Sequence, residues 1–295
     1  MKTASAVQTS PSLLSDLGEL VKARLSLLVL STTLVGYLLG QGKGAVSWFA
    51  LVATLVGTAM SACGAAALNQ WWERDVDILM KRTRDRPLPA GRMHPTDALL
   101  FGILFSVFGV AILSLVNTLA AALSAATIIV YVLIYTPLKR ISAINTLVGA
   151  IPGALPPLIG WIAATGEPSL PGWVLFAILW FWQMPHFLAI AWMYREEYAG
   201  AGFIFLTGGD EQGIATSRQI LLYTACLMVV TLAPAAIGLN NVWYLLGSFL
   251  LGLGFLVLGV RFAWTRTRIA ARQLFFGSII YLPLLLALLV ATRAS

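Results

Sequence analysis

Asn69, Glu73 and Asp77 stand at i, i+4 and i+8 of the stretch Asn69-Gln70-Trp71-Trp72-Glu73-Arg74-Asp75-Val76-Asp77. On a helix these three oxygen-bearing side chains share one face. The run Lys81-Arg82-Thr83-Arg84-Asp85-Arg86-Pro87 follows within a turn or two. Carboxylates suit a divalent cation, and arginines suit an anionic ligand. The pairing predicts a site for a metal-bound diphosphate. Asn69, Glu73 and Asp77 would be the metal ligands, and Lys81, Arg82 and Arg86 would hold phosphate oxygens. The blander alternative is a set of polar anchors at the end of a membrane span. Three oxygen donors at a helical period beside an Arg-Thr-x-x-Arg-Pro run weigh against it.

The elements that must position these residues are membrane helices. Hydrophobic residues make up 59% of the 295, charged residues 11%, and mean hydropathy is +0.86. A soluble domain carries about a quarter charged residues. Apolar runs long enough to cross a bilayer as helices fall at 25–41, 47–68, 98–116, 118–136, 144–164, 172–192, 219–238, 242–260 and 273–291. The third and fourth are separated only by a short connection at Asn117. The expected fold is an all-α integral membrane protein of about nine helices in one bundle, with a central cavity open to the cytoplasmic side.

Charge sets the orientation. With the N-terminus inside and the C-terminus outside, 17 of 19 Lys and Arg and 11 of 12 Asp and Glu lie on the cytoplasmic side. Only Lys43, Arg293 and Glu167 lie outside. The net charge of +7 is therefore a topology signal, and basic residues divided among inter-span loops exclude a nucleic-acid partner. Residues 1–21 read as a flexible cytoplasmic tail without a signal peptide's apolar core, and 22–295 as one polytopic domain. A leader that is not Arg-rich and acid-poor favours a bacterial inner membrane over an organelle. Cys63 and Cys226 sit inside apolar runs and read as core thiols. The polar loops Lys81–Pro95 and Tyr194–Arg218 follow the second and sixth spans, a spacing that hints at a distant duplication in which each half gives one loop to a shared site.

Several motifs carry a resemblance. Asn69-x3-Glu73-x3-Asp77-x4-Arg82-Thr83-x2-Arg86-Pro87 resembles the first aspartate-rich motif of the UbiA-type intramembrane prenyltransferase superfamily. Tyr135-Thr136-x-Leu138-Lys139-Arg140, Asn145 and Gly149 through Trp161 add to it. Trp182-Gln183-Met184-Pro185-His186-Phe187, followed by Tyr194-Arg195-x-Glu197-Tyr198, is similar to the branch that farnesylates heme. The superfamily's second acidic motif is usually two aspartates a helical turn apart; this chain offers Glu196 and Glu197 there, with Thr207 where the branch commonly has Pro.

The resemblance implies transfer of farnesyl from farnesyl diphosphate to a vinyl group of heme B with addition of water, giving heme O and diphosphate. It implies Mg²⁺ as cofactor, the bilayer as surroundings and a downstream heme-O-oxidising enzyme as partner. Asn69, Glu73, Asp77, Arg82 and Arg86 would be catalytic. Lys81, Tyr135, Lys139, Arg140, Gln183, His186, Arg195, Glu197 and Tyr198 would bind substrate, with Glu197 matched to the second motif's acid. Trp71, Trp72, Tyr135, Trp180 and Trp182 are candidates to face an allylic cation, or members of an interfacial aromatic belt. His186, costly within a span, could ligate heme iron or bond another span. A sister prenyltransferase acting on a 4-hydroxybenzoate-type acceptor and, more distantly, a permease stay open.

Overall fold

The computed structural model describes residues 12–42 and 46–293. Its elements are α1 (Leu13–Leu20), α2 (Ala23–Gly40), α3 (Trp48–Asp77), α4 (Pro95–Ser114), α5 (Thr118–Ile129), a π-helical segment (Val130–Tyr135), α6 (Thr136–Leu138), α7 (Asn145–Thr165), α8 (Leu170–Met193), α9 (Arg195–Gly200), a 3₁₀ turn (Leu206–Gly208), α10 (Ile214–Ala236), α11 (Val242–Thr265) and α12 (Arg268–Ala291). Among the described residues nine helices are long and apolar enough to cross a membrane, with α5 to α6 counted as one. They match the nine runs read from the sequence. The short third connection holds because Asn117 Oδ1 accepts the amide protons of Leu119 and Ala120, capping α5 as soon as α4 ends.

Helices in lipid associate through close packing, not through expulsion of apolar surface from water. Accordingly α4 turns Gly102, Ser106 and Gly109 inward and leaves Leu104, Val107 and Phe108 exposed. Between α2 and α7 the backbones nearly touch: a Cβ on Gly36 would fall on the carbonyl oxygen of Pro157, and one on Gly160 on that of Thr33. Only glycine permits that approach.

Two differences from the expected spans shape the site. First, α3 runs to Asp77, nine residues beyond its apolar run, so the whole Asn69–Asp77 motif is helical. Asn69, Glu73 and Asp77 are all buried. Second, the fourth span widens into a π-helix at Val130–Tyr135, where Thr136 Oγ1 donates to the Tyr131 carbonyl at 2.8 Å. Such segments recur at functional sites because they re-aim side chains. Here Tyr131 and Tyr135 stack with ring centroids 5.6 Å apart.

Residues 13–20, expected within a flexible tail, form a helix; the tail's earlier residues, 1–11, lie outside the described residues. Arg92 grips Asp16 through two guanidinium nitrogens at 2.8–3.1 Å, and Gln70 Nε2 donates to the carbonyls of Glu19 and Leu20. Leu20 is buried against Ala67, Leu88 and Ala98. The helix ends at Leu20, and the left-handed backbone of Lys22 (φ 48°) breaks it from α2 and turns the lysine inward.

Candidate active site

Alternating helices bring one set of ends together: the starts of α2 and α7 and the ends of α3, α6 and α8. A cavity of about 360 Å³ opens among them. Its mouth is lined by Lys22, Glu73, Asp77, Arg82, Arg86 and Lys139, and its interior by apolar and small side chains of α2, α3, α5 and α7. Met80 packs with Tyr198, Ala201 and Phe203 and so clasps the loop after α3 to the loop after α8. The second loop is pinned further by Ile204, whose amide donates to the Lys139 carbonyl and whose carbonyl accepts from Asn145 Nδ2, each at 2.7 Å.

The two acids at the mouth each hold a cation. Lys139 Nζ donates to Glu73 Oε1 and Arg86 Nη1 to Asp77 Oδ2, both at 2.7 Å. Burial alone would depress the Lys139 ammonium, but Glu73, with the oxygens of Tyr135 and Tyr131, reverses this and holds it raised. Arg82 donates to the Tyr198 hydroxyl at 2.6 Å and lies over the rings of Tyr198 and Tyr194. Burial raises the Tyr198 phenol, which therefore stays protonated despite Arg82 beside it. Thr83 Oγ1 donates to the Asp77 carbonyl, fixing the turn that carries Arg82 and Arg86.

Asn69 shares the α3 face of Glu73 and Asp77 but, unlike them, does not line the cavity. It is fully buried. Its Oδ1 accepts from Lys22 Nζ at 2.6 Å and its Nδ2 donates to Thr136 Oγ1 at 2.9 Å. Asn69 thus ties Lys22 to the π-helical turn. Lys22, which sequence reasoning used only for topology, lines the cavity and also donates to the Tyr131 hydroxyl at 3.1 Å. Burial, then the neighbouring charges of Arg86 and Lys139, push its ammonium down to about 7.

Of the other expected residues, Tyr135, Gln183 and Tyr198 line the cavity. Gln183 Nε2 donates to the carbonyls of Ala150 and Leu179, and its Oε1 occupies the space that a Cβ on Gly153 would fill. Lys81 and Arg140 are exposed and outside the lining. Arg195 stacks over Trp192 at 4.4 Å, also outside it. Glu197 is likewise not among the lining residues, and its Oε2 is buried without a partner among the described residues.

His186 faces α12. Its Nδ1 lies 2.6 Å from Ser278 Oγ, which is also within hydrogen-bond distance of the Phe275 carbonyl. The ring stacks on Trp182 at 4.9 Å and does not line the cavity. Trp71, Trp72, Trp180 and Trp182 are also absent from the lining; its aromatics are Tyr131, Tyr135, Phe187, Tyr198, Phe203 and Phe205. The tryptophan positions follow from lipid exposure and helix packing: Trp72 is 44% exposed, and Trp182 Nε1 donates to the Ser278 carbonyl. Phe203 and Phe205 follow directly on the Tyr194–Tyr198 stretch but are not singled out by it as site residues.

A cluster of carboxylates and cations over a buried apolar tube, carried by nine membrane helices, defines a membrane enzyme for an amphiphilic anion. The sequence profile of the UbiA prenyltransferase family matches residues 29–282, and the chain belongs to that family. It is 46% identical over 288 residues to the protoheme IX farnesyltransferase of Solibacter usitatus, covering 94% of this chain and 98% of that protein. To the protoheme IX farnesyltransferase of Myxococcus xanthus it is 47% identical, with 97% of each covered. Among solved structures, a UbiA homolog from Aeropyrum pernix has a TM-score of 0.71 at 21% identity over 89% of this chain and 97% of that one. One from Archaeoglobus fulgidus bound to GPP and Mg²⁺ has 0.68 at 17%, covering 93% and 99%.

Proposed function

We propose that this multi-pass membrane protein transfers the farnesyl group of farnesyl diphosphate to a vinyl group of heme B, giving heme O and diphosphate. The observation that carries it is the mouth itself: Lys22, Arg82, Arg86 and Lys139 converge with Glu73 and Asp77 at the open end of an apolar tube. That arrangement takes a diphosphate head and a hydrocarbon tail together. The acceptor follows from the relatives, which are protoheme IX farnesyltransferases.

The acid pair fits a divalent ion. Glu73 and Asp77 lie one turn apart on α3 and both line the cavity. Mg²⁺ typically takes one or two carboxylates together with substrate phosphates, and among the described residues no group of three acids, histidines or cysteines gathers anywhere. Glu73 and Asp77 would hold it, and it would supply Lewis-acid neutralisation of the leaving diphosphate. Lys139 and Arg86 keep N–H donors beyond the one each gives to a carboxylate, and these reach for phosphate oxygens. Arg82, seated on Tyr198, does the same from the opposite loop.

The allylic C–O bond breaks with its electron pair going to diphosphate. The vinyl terminal carbon attacks the allylic carbon, and water captures the resulting cation and gives up a proton. No strong base is needed, which agrees with a lining that holds no histidine among the described residues. The rings of Tyr131 and Tyr135 line the route just inside the mouth and favour a passing cation by roughly 0.5–2 kcal/mol each. The apolar walls keep water out until the carbon–carbon bond forms. The excess of Lys and Arg in one set of inter-span loops supports an N-terminus in the cytoplasm, and the bacterial relatives support the inner membrane as its location.

The test is a membrane assay with radiolabelled farnesyl diphosphate, offering heme B and 4-hydroxybenzoate separately with and without Mg²⁺. Labelled heme O only in the Mg²⁺–heme arm is expected. Product on 4-hydroxybenzoate, or on neither acceptor, overturns the proposal.

A further inference from the structure

The far end of the tube is polar. On α3 the lining runs from Asp77 at the mouth through Ala66, Ala65 and Ala62 to Ser61 and Thr58. On the π-helix and α5 it runs from Tyr135 and Tyr131 back to Thr127 and Ser124. Alanines on α3 keep the bore open, and Val29, Ile128 and Ile159 close its sides. At the end, Ser124 Oγ donates to Ser61 Oγ at 2.9 Å, joining α5 to α3. Both serines are buried, and Thr58 is 4% exposed with its hydroxyl unpartnered among the described residues. Behind them α4 leaves no room: a Cβ on Gly109 would fall on Ser61 Oγ, and one on Gly57 would meet Leu113.

A hydrocarbon tail gains by burial along the alanine wall and stops gaining where it meets hydroxyls it cannot satisfy. Twelve residues of α3 separate Glu73 from Ser61, a run of ~18 Å at the rise of a helix. That distance suits an extended farnesyl chain anchored by its diphosphate at the mouth. We infer that the Ser61–Ser124 pair, with Thr58, is the stop that fixes the length of prenyl chain this enzyme accepts. Ser61, Ser124 and Thr58 are then specificity-determining residues, remote from the reacting atoms. The inference rests on the prenyl diphosphate reading of the cavity and not on the identity of the acceptor.

The test measures binding of geranyl, farnesyl and geranylgeranyl thiolodiphosphates, which need no acceptor, to the purified full chain in detergent with Mg²⁺. Wild type is expected to bind the farnesyl compound best. Ser124→Leu raises the floor and should weaken farnesyl binding about tenfold while leaving geranyl binding within about threefold, since one misfit in a packed pocket costs that much. Ser61→Ala/Ser124→Ala only removes atoms; it should narrow the gap between farnesyl and geranylgeranyl by about fivefold or more. The double variant carries the test if Ser124→Leu does not fold. Equal losses for all three chain lengths, or a wild type that does not discriminate, overturn the inference. Heme farnesylation by the same wild-type preparation is scored separately, so failure there removes the acceptor assignment and leaves the length stop standing.

Discussion

Lys139 Nζ lies 2.7 Å from Glu73 Oε1, and both side chains are largely buried at 12% and 8% exposure. This pair joins the fourth span to the second across the mouth of the cavity. Removing one partner strands a charge that the protein has already desolvated, a loss of about 3–5 kcal/mol. Lys139→Met should therefore lower the melting temperature markedly and reduce farnesyl transfer by two orders of magnitude or more. Glu73→Gln/Lys139→Met should recover most of the stability and none of the activity. Thermal unfolding in detergent beside a transfer assay checks both; a double variant as unstable as the single one would refute the ion-pair account.

Tyr198 is a seat for Arg82. Its hydroxyl accepts from Arg82 at 2.6 Å while its ring lies under the guanidinium. Tyr198→Phe keeps the ring and loses the acceptor, about 1 kcal/mol for one hydrogen bond. The expected result is a severalfold rise in KM for farnesyl diphosphate with kcat within about twofold. A fall in kcat at unchanged KM would give Tyr198 a direct part in the chemistry.

Asn69 and Glu73 share a face but should respond differently to metal. The Asn69 oxygen is engaged by Lys22, whereas Glu73 lines the cavity. Chelation by EDTA should abolish transfer in wild type, with recovery on added Mg²⁺. Glu73→Gln and Asp77→Asn should raise the Mg²⁺ concentration for half-maximal activity about tenfold or more, because each removes an anionic ligand. Asn69→Ala should lose substrate affinity and leave that concentration unchanged. A parallel shift in all three variants would return Asn69 to the metal.

The nine spans were legible because lipid imposes length and apolarity on every helix, and the Asn69–Asp77 face because a helical period survives into the structure. Glu73, Asp77, Arg82, Arg86, Tyr135, Lys139 and Tyr198 were brought together as their types suggested. Lys22 was not legible as a site residue, since its inward turn depends on a left-handed backbone between two helices. The displaced role of Asn69 followed from that same lysine. For Trp71, Trp72, Trp180 and Trp182 the sequence left a cation-facing role and an interfacial belt both open, because an aromatic ring near a span end serves the interface as readily as a site; none of the four lines the cavity. Phe203 and Phe205 reach the cavity only through a loop whose path is set by Lys139 and Asn145, residues about sixty positions earlier.

Lys22 should make substrate binding depend on pH. Its folded value of about 7 lies below the ordinary lysine value of 10.5, so the folded state binds fewer protons than the unfolded one between those values. The cost to stability is full below about pH 7 and fades as pH rises toward the ordinary lysine range. Lys22→Met should consequently gain melting temperature relative to wild type near pH 6 and gain less near pH 9. A bound diphosphate reverses the balance, because its negative charge favours the ammonium. Binding at about pH 8 should then draw up to about one proton from solution, and affinity should fall as pH rises above 7. Calorimetry of farnesyl thiolodiphosphate binding in two buffers of different ionisation enthalpy reads this uptake directly. Lys22→Met serves as the control for titration of the ligand itself. Equal proton uptake by wild type and Lys22→Met would show that Lys22 keeps its charge state on binding.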